Sequence, residues 1–163
     1  VTQENLGDTT DQLAIPIQAE QVPKYAHPDD AGADLCSAES YTLKPGERAL
    51  VATGVRIELP TGYAAFVVPR SGLAVKRGVT VLNAPGTIDA GYRGEIRVPL
   101  INLDPSETFE IEPGDRIAQM IIMPVPAVRF IPAEQLGSTA RGEGGFGSTG
   151  VRHESEAGVA AQN

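Results

Sequence analysis

The chain of 163 residues has a single cysteine, Cys36, so no internal disulfide can form. Its two histidines, His27 and His153, are far apart in sequence, and no Cys/His zinc cluster can be composed from these residues. A disulfide-free, cytoplasmic protein is expected. Long apolar runs are missing too: no stretch approaches the roughly 18 residues of a membrane span. The opening VTQENLGDTTDQ is acidic and polar where a secretory signal would be basic and then apolar. The reading is therefore a soluble chain with no membrane partner. Basic residues are scarce, 13 Lys and Arg against 21 Asp and Glu, for a net charge of −8. That balance excludes a general nucleic-acid binder, whose footprint is basic. An anionic ligand would have to be held by a few local groups.

Turn residues are plentiful. Gly 18 and Pro 13 punctuate short β-branched runs, a pattern that favours many short strands over long helices. The clearest alternation is Val55-Arg56-Ile57-Glu58-Leu59, closed by Pro60 and Gly62. Similar patterns predict strands at Leu13–Gln18, Arg48–Ala52, Tyr63–Val68, Thr80–Leu82, Glu95–Ile101, Thr108–Ile111, Arg116–Met123 and Val128–Ile131. Only Ser71–Arg77 breaks this rhythm; it reads as a short helix opened by Ser71 and stopped by Gly78. Eight or nine short strands imply an all-β barrel or jelly roll. The organisation expected is a flexible arm over residues 1–12, a β-barrel domain over 13–136, a glycine-rich arm over 137–150 and a disordered tail over 151–163.

Several segments could carry chemistry, and each has a plain structural alternative. Pro69-Arg70-Ser71-Gly72 places an arginine, a hydroxyl and a glycine at the expected helix start, where free N–H groups favour an anion; an ordinary capped helix would look the same. GTIDAGYRGEI, Gly86–Ile96, reads as a glycine-punctuated hairpin with Asp89 three residues before Tyr92. That pair fits a general base beside a ligand-packing ring, or simply a turn aspartate and a core tyrosine. RGEGGFGSTG, Arg141–Gly150, sets one arginine and one phenylalanine in permissive backbone, suited to phosphate and to base stacking, or to a linker. AGADL supplies Asp34 after a glycine turn, and RIAQM supplies Gln119 inside an apolar strand, where an amide needs partners.

Taken in order, AGADL, PRSGLA, GTIDAGYRGEI with Asn83 just before it, GDRIAQM and RGEGGFGSTG resemble the five motifs of the trimeric dUTPase family. The resemblance runs from about Leu13 to Gly150. It implies an all-β, jelly-roll-like β-barrel with one short helix and a homotrimer with active sites shared between subunits. It also implies Mg2+-assisted hydrolysis of dUTP to dUMP and pyrophosphate, which limits uracil in DNA and supplies dUMP for dTMP synthesis.

The resemblance also assigns roles. Asp89 would activate the water that attacks the α-phosphorus, and Asp34 would meet Mg2+ through water. Arg70, Ser71, Gly72 and Gln119 would bind the phosphate chain. Asn83, Thr87, Ile88 and Tyr92 would meet uracil and deoxyribose. Arg141, Phe146, Gly147, Ser148 and Thr149 would close over the nucleotide, with Phe146 on the base and Arg141 on the γ-phosphate. Two competing expectations remain: a dCTP deaminase of the same fold, and a catalytically silent relative that only binds nucleotide.

Overall fold

In the computed structural model, residues 12–145 are described. The chain divides into two units, Val1–Ala127 and Val128–Asn163. Among the described residues the first holds every strand and the helix: β1 Ile17–Gln18, β2 Ala33–Cys36, β3 Tyr41–Leu43, β4 Arg48–Ile57, β5 Tyr63–Val68, α1 Ser71–Arg77, β6 Val79–Val81, β7 Gly86–Ile88, β8 Ile96–Asn102, β9 Phe109–Ile111 and β10 Arg116–Pro124. They form sheets of order β1-β4-β8-β6 and β2-β10-β5-β7 and the small pair β3-β9, all antiparallel.

Strict alternation explains the layering. In β4 every second residue, from Ala49 to Ile57, is buried while its neighbours face outward or half outward. The buried faces of both four-stranded sheets and of β3-β9 share one apolar cluster, with Leu35, Leu43, Val51, Val98, Leu100 and Ala118 wholly inaccessible. Burying each of the larger aliphatic side chains contributes about 1.5–3 kcal/mol. The jelly-roll-like, all-β architecture agrees with the sequence, and β5 and α1 fall on the residues expected. Among the described residues no helix is long and apolar enough to cross a membrane.

Local departures have identifiable causes. The separate strands expected at Arg48–Ala52 and Val55–Leu59 are one strand, β4, because Gly54 at φ 69° accommodates an irregularity between Ala52 and Val55. Asp34 follows a bend at Gly32, as expected, but it lies within strand β2, and neither β2 nor β3 was foreseen. Of Leu13–Gln18 only Ile17–Gln18 pairs. GTIDAGYRGEI is not a hairpin, since β7 pairs with β5 whereas β8 pairs with β4 and β6. The α1 N-cap is Arg70, without a side-chain cap bond, and not Ser71. Val128–Ile131 forms no strand: it sits between Pro126 and Pro132, which lack ladder donors, and no described segment pairs with it. The expected arm over residues 1–12 and the tail over 151–163 lie almost wholly outside the described residues.

Candidate active site

The site begins with sheet register. Asp34 on β2 stands opposite Gln119 on β10, and Gln119 stands opposite Val68 at the end of β5. Two residues beyond Val68, the chain reaches Arg70 and turns into α1. Three segments remote in sequence therefore converge at one end of the sheet. Asp34 is fixed by its own backbone, whose N–H donates to the Lys24 carbonyl at 2.8 Å. Its side chain is only 17% exposed.

That half-buried carboxylate lies between two arginines. Arg70 Nε donates to Oδ1 at 2.9 Å, and Arg116 Nη1 donates to Oδ2 at 3.1 Å. A second Arg70 donor, Nη1, reaches the Arg116 carbonyl at 3.2 Å. Gln119 Nε2 donates to the Pro69 carbonyl at 3.0 Å, tying the strand to the approach of the helix. Gly32 lies close against this side chain: a Cβ there would stand 2.6 Å from Gln119 Oε1 and force the amide to shift.

These groups surround a cleft of about 340 Å³ whose lining includes Asp34, Arg70, Ser71, Gly72, Arg116 and Gln119. The first turn of α1 carries no acidic residue, so nothing there opposes an anion. The charged residues of the lining, Asp30, Asp34, Arg70 and Arg116, balance two against two. The cleft is locally neutral in a chain of net charge −8. Behind it, burial pushes the Cys36 thiol above its ordinary value, with the Asp34 charge adding to the effect. That thiol is no candidate nucleophile.

The structure thus brings Asp34, Arg70, Ser71, Gly72 and Gln119 together and adds Arg116, to which the sequence reading gave no role. Its signal was present in GDRIAQM but obscured by spacing. Residues three apart on a regular strand face opposite ways, yet the register shift between Arg116 and Ala118 lets both Arg116 and Gln119 line the cleft.

The remaining motif residues sit elsewhere on the chain. Thr87 and Ile88 are on β7, paired with Phe66 and Ala65. Asn83 packs its amide near Gly86. Exposed Asp89 follows β7, its carbonyl accepting the Tyr92 N–H at 3.0 Å; Tyr92 donates its hydroxyl to the Glu95 carbonyl at 2.9 Å. Tyr92 also packs against Gly94, where a Cβ would collide with its ring. None of Asn83, Thr87, Ile88, Asp89 and Tyr92 lines the Asp34 cleft. Arg141, in the second unit, donates Nε to the Gly144 carbonyl at 2.8 Å. Phe146, Gly147, Ser148 and Thr149 lie outside the described residues.

The sequence profile of the dUTPase family matches residues 18–150. The chain belongs to the dUTPase family. It is 67% identical over 149 residues to the deoxyuridine 5'-triphosphate nucleotidohydrolase of Bifidobacterium longum subsp. infantis, covering 90% of this chain and 94% of that protein. Identity to the same enzyme of Leifsonia xyli subsp. xyli is 62% over 141 residues, covering 86% and 93%. In three dimensions it resembles the Staphylococcus bacteriophage 80alpha dUTPase solved with dUpNHpp, at a TM-score of 0.79 and 30% identity over 86% of this chain and 100% of that one. A dUTPase from a phage of S. aureus, whose structure reveals coordination of a structural Mg(II) ion, matches at a TM-score of 0.69 and 26% identity, over 76% and 98%. Of the motif residues that are described, the Asp34 cleft gathers Asp34, Arg70, Ser71, Gly72 and Gln119, while the others lie apart on the chain.

Proposed function

We propose that this chain hydrolyses dUTP to dUMP and pyrophosphate by direct attack of water on the α-phosphorus. The observation that carries the reading is the convergence of Arg70, Ser71, Gly72 and Gln119 on one cleft beside Asp34, in a chain matched to the dUTPase family from residue 18 to 150. Arg70 keeps its outward guanidinium N–H groups for phosphate oxygens, and the Ser71 and Gly72 N–H groups at the start of α1 complete the cradle. Gln119 supports that cradle through Pro69.

Asp89 is the general base. It is exposed, and among the described residues it makes no ion pair that would hold its carboxylate away from a water. Asn83, Thr87, Ile88 and Tyr92 form the uracil and deoxyribose side. Their position away from the Asp34 cleft supports a site completed by another copy of the chain, as in a homotrimer. Arg141, Phe146, Gly147, Ser148 and Thr149 close that site over the nucleotide, excluding water.

No cluster of three or more His, Cys, Asp or Glu side chains occurs among the described residues, so no protein cage for a metal is present there. The donors suit Mg2+ carried by the triphosphate and keeping its waters. Each oxygen of Asp34 receives one N–H and retains a lone pair for a metal-bound water. When bound, the ion neutralises charge on the phosphate chain.

The test is pyrophosphate release from dUTP, dTTP, dCTP and UTP with Mg2+, for wild type and Asp89→Asn. Turnover of dUTP alone is expected, with kcat in the variant down by about 10²–10⁴ while dUpNHpp still binds. Deamination of dCTP, or nucleotide binding with no turnover by wild type, would refute the proposal.

A further inference from the structure

The pairing of Arg70 with Asp34 is unusual in what it leaves unused. Arginine and carboxylate favour a two-pronged contact, with parallel N–H groups on both oxygens. Here Arg70 gives Asp34 only Nε, and its Nη1 turns to the main-chain carbonyl of Arg116. The second carboxylate oxygen is already taken by the Arg116 guanidinium at 3.1 Å. One residue thus holds both partners apart, Asp34 by its side chain and Arg70 by its backbone.

We propose that Arg116 is a positioning residue: by occupying Oδ2 of Asp34 it keeps that carboxylate from closing on Arg70 with both oxygens, and so keeps the outer edge of Arg70 available to a triphosphate. The inference rests on the proposed hydrolase reading for the identity of the anion. Its physical basis is competition. Remove the Arg116 guanidinium and Oδ2 becomes a half-buried anionic oxygen without its donor, with the Arg70 fork as the adjacent source of N–H groups. Rotation of the carboxylate then captures a second Arg70 donor, and the face offered to phosphate turns inward. Arg116 is itself about half exposed, so its loss leaves the apolar core intact.

The experiment is a double-mutant cycle of Arg116→Met and Asp34→Asn, read by calorimetric binding of dUpNHpp and of dUMP with Mg2+, beside thermal melts of the same four proteins. Arg116→Met is expected to weaken dUpNHpp about tenfold, the size of one charge-assisted hydrogen bond, and dUMP less than about twofold. In the Asp34→Asn background the same change should cost less than about twofold, because no anion is left to capture Arg70. Arg116→Lys, which keeps one cationic donor, should restore most of the affinity. Equal losses in both backgrounds would mean direct contact or simple charge removal and would overturn the proposal, as would equal losses for both nucleotides or no loss at all. A wild type that binds neither nucleotide refutes the hydrolase reading instead. The melts then decide the clamp separately, non-additive melting shifts supporting it and additive ones overturning it.

Discussion

Gln119 donates its side-chain amide to the main-chain carbonyl of Pro69 at 3.0 Å, bracing the chain one residue before Arg70. The bond links β10 to the loop that aims Arg70, Ser71 and Gly72. Gln119→Ala leaves the Pro69 carbonyl to find water and lets the loop relax. We expect about 1 kcal/mol of lost stability and a severalfold rise in KM for dUTP with a smaller change in kcat. Steady-state kinetics beside a denaturant melt check this; an unchanged KM would refute the bracing role.

Asn102 carries more of the fold than its polarity suggests. Wholly buried at the end of β8, it donates to the carbonyls of Leu43 at 2.9 Å and Glu107 at 2.8 Å and accepts the Asp104 N–H at 2.9 Å. It thereby joins the β3-β9 pair to the larger sheet. Asn102→Leu keeps the branched outline but strands three backbone groups, so a loss of roughly 3 kcal/mol is expected in chemical denaturation. A loss below about 1 kcal/mol would show that water replaces these bonds.

Asp104 gives an acid-dependent signature. The backbone N–H groups of Ser106 and Glu107 donate to its Oδ1 and hold its carboxyl below the ordinary carboxylate range. A folded-state value below the unfolded one stabilises the protein above the unfolded pKa, about 3.9, and that stabilisation is lost as pH falls through the folded value. Wild type should melt above Asp104→Asn at pH 7, and the gap should narrow on acidification below about pH 4. Melting curves across pH 2 to 7 test this, and a constant gap would remove the carboxylate as its cause.

Much of this protein is legible along the chain because its causes are local. Tyr63–Val68 is bracketed by Pro60 and Gly62 on one side and Pro69 on the other, so a short apolar run between breakers becomes β5 as expected. Gly78 ends α1 at φ 64°, a conformation glycine adopts freely, and a Cβ there would press on the Asp104 backbone at 2.7 Å. The family's five motifs are likewise matters of residue order, which a sequence states directly.

Pairing at long range is different. Whether Gly54 breaks β4 or bends it depends on the strand beside it, and there its N–H meets the Glu95 carboxylate at 2.8 Å. The segment Val128–Ile131, with Val, Phe and Ile around Arg129, looks like a strand but finds no described neighbour to pair with. Fold class, helix position and the order of the family's motifs are therefore local properties, readable along the chain. The position of Asp34 between Arg70 and Arg116 is a matter of long-range packing, because that contact depends on β2 and β10 pairing across 82 residues and on a register shift no local pattern encodes.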